Sequence, residues 1–179
     1  MGRQGLENMP TRQFAIWTKL IALCFLLSAA SWAQDVLFHA EDQSFSVNLP
    51  SHFQPSNSPP NGTVLALETQ GGFSLFCSKG EPVELDAGQF AERMKRNLYD
   101  GGAQILGKAQ KPLAGQPAAS FLVGGVVKGK ESLFIFNQRP DAVYTFVFNY
   151  PVGQRQKASG IWNQASPTFK FRQAKAKKS

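Results

Sequence analysis

The sequence predicts an α+β fold, an antiparallel β-sheet with amphipathic helices packed on it as an α/β/α sandwich. Three observations point there. Segments that alternate apolar and polar residues, the period of a half-buried strand, outnumber helical ones. Short links rich in Gly, Pro, Asn and Asp join them, and short links between consecutive strands favour antiparallel pairing. Two segments repeat apolar residues at spacings of three and four. Each such helix needs one apolar surface, and a sheet offers two.

The elements follow in order. Asp35–Ala40 is a short strand, and Glu41-Asp42-Gln43 turns the chain into Phe45–Leu49, whose FSVNL alternates cleanly until Pro50 ends it. Gln54–Gly62 (QPSNSPPNG) has no period and is a loop. Val64–Glu68 and Phe73–Ser78 are strands joined by a hairpin turn at Gln70-Gly71-Gly72. Asp86 then caps a helix in which Ala87, Phe90, Ala91, Met94 and Leu98 share one face. Gln89, Glu92, Arg93, Arg96 and Asp100 take the other face, with Glu92 and Arg96 as an i,i+4 ion pair. Gly101-Gly102 ends the helix.

Four strands come next: Gln104–Lys108, Ala118–Val127, Ser132–Gln138 and Ala142–Tyr150. Gly124-Gly125 predicts a bulge or bend in the second of them. Lys128-Gly129-Lys130 and Arg139-Pro140-Asp141 are the turns between. In AVYTFVFNY, Tyr144, Phe146, Phe148 and Tyr150 fall on one face, which is predicted to lie on the core. A second helix over Gln154–Ser166 places Ala158, Ile161, Trp162 and Ala165 on one stripe. Pro167 ends it, and Thr168–Phe171 is predicted to return to the sheet edge.

Ahead of all this, residues 1–33 read as a secretory signal peptide. Arg3, Arg12 and Lys19 precede an apolar core, Leu20–Ala30, and Ser31-Trp32-Ala33 supplies small residues for cleavage between Ala33 and Gln34. The core is too short to span a bilayer as a mature helix. Met9 is an alternative start that leaves the processed chain unchanged. Cys24 is no lipid-anchor site by pattern, because Leu23 precedes it where a small residue is required and the apolar run continues past it. The expected plan is therefore a cleaved signal over 1–33, a single domain over 34–172 and a basic tail over 173–179. The protein is expected in the periplasm or outside the cell.

Charge follows this division. The net charge of +7 is carried by the two ends. Lys170, Arg172, Lys175, Lys177 and Lys178 crowd the last ten residues with no acid among them, whereas residues 34–169 hold equal numbers of acids and bases. A nucleic-acid-binding domain needs its basic stripe on the fold itself, so that class is excluded. The tail is the one basic segment with a possible anionic contact, a lipid surface or an envelope polymer. With Cys24 gone, Cys77 is alone, and the domain is held by its core rather than by a disulfide.

Four short words, in order, resemble the Mog1/PsbP-like family. They are Phe45-Ser46-Val47-Asn48-Leu49-Pro50, the helix Asp86–Leu98, Tyr144-Thr145-Phe146-Val147-Phe148-Asn149-Tyr150-Pro151, and the closing Ser166–Phe171. Together they cover most of 35–171. The family's opening usually runs on into a Gly-Trp turn, where this chain has Ser51-His52-Phe53. The resemblance implies the sheet-and-helix fold and a habit of binding or assisting larger complexes. It brings no catalytic residues with it.

The residues themselves offer little chemistry. Gly124–Glu131 (GGVVKGKE) approaches a phosphate-loop pattern, but Glu131 stands where a magnesium-binding hydroxyl belongs and the segment joins two strands. Cys77 shares its strand face with Phe73 and Leu75, which predicts a buried small hydrophobe rather than a nucleophile. His39 and His52 are thirteen residues apart, a spacing of no metal motif, and both flank turns. No Gly-x-Ser-x-Gly elbow is present. Asn61-Gly62-Thr63 is a glycosylation sequon, relevant only to a eukaryotic secretory route. The expectation is an exported, non-enzymatic accessory or binding protein, monomeric, without cofactor or metal and with no catalytic residues. The alternatives are an envelope enzyme using Cys77 or His39 and His52, and a binder of anionic lipid or polymer through the tail.

Overall fold

A computed structural model of the protein describes residues 34–172. The predicted signal segment, with Ala33, and the tail residues Lys175, Lys177 and Lys178 lie outside the described residues. Ten strands and two α-helices follow in the order β1 (Asp35–His39), β2 (Phe45–Pro50), β3 (Gln54–Pro55), β4 (Thr63–Glu68), β5 (Ser74–Gly80), α1 (Ala87–Asp100), β6 (Gln104–Leu113), β7 (Gln116–Gly124), β8 (Lys130–Arg139), β9 (Ala142–Pro151), α2 (Arg155–Ala165) and β10 (Lys170–Phe171). A 3-10 turn over Ser166–Thr168 joins α2 to β10. The α+β class read from the sequence holds, and every strand pair is antiparallel.

The strands form two sheets. Seven line up as β3-β4-β5-β9-β8-β7-β6, and three as β1-β2-β10. The closing strand therefore does not join the edge of the main sheet, as the sequence predicts. It pairs with β2, Lys170 opposite Ser46 and Phe171 opposite Phe45. The Thr168 side chain prepares that meeting, since its Oγ1 accepts from the Asn48 N–H at 2.9 Å.

Alternation along the strands sorts the core into two clusters on opposite faces of the main sheet. One face carries Leu133, Ile135, Tyr144, Phe146, Phe148 and Tyr150, and is covered by β2 and by Ala158, Ile161, Trp162 and Ala165 of α2. The aromatic face of β9 thus lies on the core. The other face carries Phe121, Val123, Phe134 and Phe136, and is covered by Phe90, Ala91, Met94 and Leu98 of α1. Strand β8 supplies both, so Ser132–Asn137 is buried without interruption. A strand buried on both faces reads as a continuous apolar run.

Phe45 ties the two sheets together. Its ring lies 5.8 Å from Tyr144, 5.4 Å from Phe146, 5.8 Å from Phe169 and 5.6 Å from Phe171, centroid to centroid. Edge and offset contacts at such distances are the favoured aromatic geometry. On the far face, three polar residues break the apolar pattern. Ser132 Oγ donates to Asn149 Oδ1 at 2.6 Å, and Asn149 Nδ2 donates to Ser74 Oγ at 3.1 Å. They are register neighbours on β8, β9 and β5, and all three are buried.

Local details correct four expectations. Asp86 caps α1 as predicted, and with Gln89 it completes a capping box. The surface acid Glu92, however, pairs with Lys95 and with Lys108 on β6 rather than with Arg96. Lys95, three residues on along the same helix, is the near partner, and Lys108 stands farther off at 3.8 Å. Of the two glycines ending the helix, Gly102 takes the left-handed conformation at φ +87°. Gly124 ends β7 and Gly125, at φ +85°, starts the turn. Register shifts lie instead in β6, between Ile105 and Gly107, and in β4, between Thr63 and Leu65, and β6 runs on to Leu113 rather than stopping at Lys108. The loop Gln54–Gly62 begins with two residues paired to β4.

Candidate functional site

The residue types that carry chemistry are dispersed. Cys77 sits on β5 with its side chain in the core at 0% exposure. Burial pushes its thiol well above the ordinary range, and the nearby Asp42 charge adds to the effect. A thiolate is the reactive species, so this environment opposes nucleophilic use. In the chain carrying Cys24→Ser, Cys77 is expected to react with an aqueous thiol reagent at pH 8 only as fast as the fold opens. Labelling that matched a denatured control would contradict the burial.

The histidines are not brought into one cluster. His39 ends β1 and is exposed, and His52 is exposed in the turn after β2, where its ring lies 5.3 Å from Phe53. Among the described residues, no three His, Cys, Asp or Glu side chains converge as metal ligands. His39 and Glu41 do border a shallow hollow of about 560 Å³ with Ala40, Gln43 and Arg172. Arg172 itself is exposed, and its N–H donates to the Ser44 carbonyl at 2.8 Å. Lys170 is exposed on β10. Gln34, the residue after the predicted cleavage point, is exposed ahead of β1. Asp42, between these elements, holds Lys79 Nζ at 2.9 Å, and its carboxyl lies below the usual range because hydrogen bonds from Ser44 and Lys79 outweigh the desolvation that opposes them.

The larger concavity is a groove of about 700 Å³ between the first half of α1 and the β6–β7 hairpin. Its origin lies in residue size. Ala87, Gly88 and Ala91 line it from the helix and Ala109, Ala118 and Ala119 from the strands, and small residues on both walls leave space unfilled. The rim is charged. Lys108 Nζ stands 3.8 Å from Glu92 Oε1, so an ion pair links sheet to helix across the opening. The carboxyl of Glu92 is held below its ordinary range, chiefly by the hydrogen bond from Lys95. Lys111, also on the rim, turns to α2, donating to Ser159 Oγ at 2.8 Å and Asn163 Oδ1 at 3.3 Å. Ser120 is occupied too, its Oγ donating to the Ala109 carbonyl. The arrangement can hold an apolar segment under a charged rim. Sequence reading places Ala87 and Ala91 on a core face; Ala91 is buried there, whereas Ala87 is half-buried at the groove. The gap they leave depends on what the strands set opposite them, and no local pattern shows that.

No family model matches the sequence, and no curated protein matches it. Solved structures do. The cyanobacterial PsbP, CyanoP, from Synechocystis sp. PCC 6803 aligns with a TM-score of 0.57 at 11% identity, over 80% of this chain and 95% of that one. The Ran-binding protein Mog1p from Saccharomyces cerevisiae aligns with a TM-score of 0.54 at 10% identity, over 78% and 96%. A Bacteroides thetaiotaomicron protein aligns with a TM-score of 0.50 at 16% identity, and this chain spans 48% of its length. At these identities the likeness is one of fold, and the fold is the Mog1/PsbP-like one that the four sequence words resemble. No described helix is long and apolar enough to cross a membrane.

Proposed function

We propose that this chain is an exported, non-enzymatic accessory protein of a bacterial cell envelope, cleaved after Ala33, which works as a monomer by binding a segment of a protein partner. The observation that carries the reading is the groove of α1 and the β6–β7 hairpin, apolar within and bridged at its rim by Glu92 and Lys108. Groove and charged rim suit an apolar peptide segment flanked by polar residues. A protein of the same fold, Mog1p, is described as Ran-binding, so the architecture serves protein recognition elsewhere. The buried thiol of Cys77 and the dispersed histidines weigh against the envelope-enzyme reading.

The test is site-specific photocrosslinking in a bacterium that exports the chain. A photoreactive residue replaces Lys108 at the groove, and in a control replaces Gln156, exposed on α2. One saturable protein adduct from position 108, absent at 156, on a chain whose N-terminus is Gln34, is the expected result. An intact leader refutes export. A processed chain with the same adducts at both positions refutes the groove as the binding surface.

A further inference from the structure

Among the described residues, six large apolar side chains are exposed, and four of them gather at one end of the seven-stranded sheet. Val126 (43% exposed) and Val127 (37%) lie in the β7–β8 turn, Val152 (64%) follows β9, and Tyr99 (68%) sits in the last turn of α1. The register places them together. Gly124 ends β7 opposite Gln104, the residue that opens β6 just after α1, and Lys130 opens β8 opposite Pro151. The two valine turns are joined directly. Val152 N–H donates to the Gly129 carbonyl at 3.1 Å, and Lys130 N–H to the Val127 carbonyl at 3.0 Å. They form a fixed double turn, and it stands clear of the body. A Cβ added at Gly125, Gly129 or Gly153 would meet nothing within 4 Å.

Basic side chains surround these apolar tips. Lys128 is exposed in the turn itself and Lys130 half-exposed beside it. Lys157, on the first turns of α2, lies over the Phe73 ring at 5.3 Å. Arg155 grips Glu131 through two hydrogen bonds of 3.0 Å, which neutralises the acid closest to the turns. Asp100 remains as the exposed acid beside Tyr99. Three lysines thus frame the valines with one acid at the margin.

We infer that this double turn is a docking tip for an anionic lipid surface. Val126, Val127 and Val152 enter the headgroup region, Tyr99 lies at its boundary, and Lys128, Lys130 and Lys157 meet the lipid charges. Three arguments favour lipid over protein. The apolar groups project from turns rather than lining a hollow. Lysine is depleted from protein interfaces, whereas aliphatic tips with lysines suit an anionic membrane. An amphipathic ring such as Tyr99 favours the boundary between apolar and wet regions. The tip also leaves the rest of the molecule free. Strand β10 and Arg172 lie at the opposite end, where Phe171 meets Phe45 and Arg139 covers the Phe171 ring at 4.7 Å. Lys170 and Arg172, the described basic residues of the C-terminal segment, therefore lie away from the valines, and the surface proposed here does not need them.

The processed chain beginning at Gln34 is used, in which Cys77 is the one cysteine and is buried. Val127→Cys carries an environment-sensitive fluorophore. A second protein carries it at Asp141→Cys, in the opposite turn, where losing an acid can only favour anionic lipid. Phosphatidylcholine vesicles with and without phosphatidylglycerol are the probes. The expected result is a blue shift at position 127 with the anionic vesicles and none at 141. Lys128→Gln and Lys130→Gln should each weaken the vesicle titration about fivefold. Because the label reports position, it answers even where another part of the chain holds the vesicle. Equal shifts at both positions, or no shift at 127, overturn the inference. A shift at 127 produced by envelope protein but not by vesicles also overturns it, assigning the tip to a protein partner.

Discussion

Phe45→Ala is expected to lower the unfolding free energy by about 4 kcal/mol, the range for deleting a buried aromatic side chain. The ring is 2% exposed and touches four other rings drawn from both sheets and from the segment between α2 and β10. The cavity left behind cannot collapse easily, because β2 is fixed between β1 and β10 by its backbone ladder. A stable domain holds about 5–15 kcal/mol in total, so this one change removes a large share. Urea unfolding followed by tryptophan fluorescence measures it, Trp162 being buried against Phe148 and Phe169. A cost below about 1.5 kcal/mol, the range of a shape-conserving swap, would show that the ring is not the hub between the sheets.

The second large effect concerns Asn149. Asn149→Ala removes the middle of a buried row and leaves the Ser74 and Ser132 hydroxyls without the partner each has now. A buried polar group stripped of its partner costs about 1–3 kcal/mol, so about 3 kcal/mol is expected for the pair. The triple change Ser74→Ala, Ser132→Ala and Asn149→Val tests the cause. Removing all the polar atoms together leaves nothing unsatisfied, and more than half of the loss is expected to return. Equal instability in the single and triple variants would place the cost in packing instead.

Much of the fold is legible because its signals are local. AVYTFVFNY states its own alternation, Asp86 and Gln89 state the start of α1, and Ala158, Ile161, Trp162 and Ala165 state the buried side of α2. The division into two sheets has no such signal. The β1–β2 ladder stands apart from the main sheet, which no local pattern states, and β10 joins it through a two-residue pairing too short to have a period. Glu92 is a smaller miss of another kind, because Lys95 at i+3 and Arg96 at i+4 are both correct spacings along the helix and the carboxylate pairs with the former, with Lys108 from β6 at 3.8 Å. The groove was illegible for a related reason. Ala91 reads as an ordinary core residue of its helix, and only its meeting with Ala119 across α1 and β7 makes space. The valine turns sit in segments whose composition marks turns correctly, yet only strand register shows that Val126, Val127, Val152 and Tyr99 share one end. Cys77, by contrast, was readable from its neighbours Phe73 and Leu75 alone.

The pairing of β2 with β10 also sets the order in which the molecule can be completed. Asn48 and Thr168 stand 120 residues apart in the chain and share a hydrogen bond. Closing a loop of that length costs on the order of 4 kcal/mol of chain entropy before any contact repays it. A chain that emerges from its N-terminus onward makes β2 early and must wait for Phe171 to finish covering it. Until then Phe45 lacks two of its four aromatic neighbours, Phe169 and Phe171. Phe169 to Phe171 thus act as a clasp, and a nascent chain stays open there until these residues have emerged.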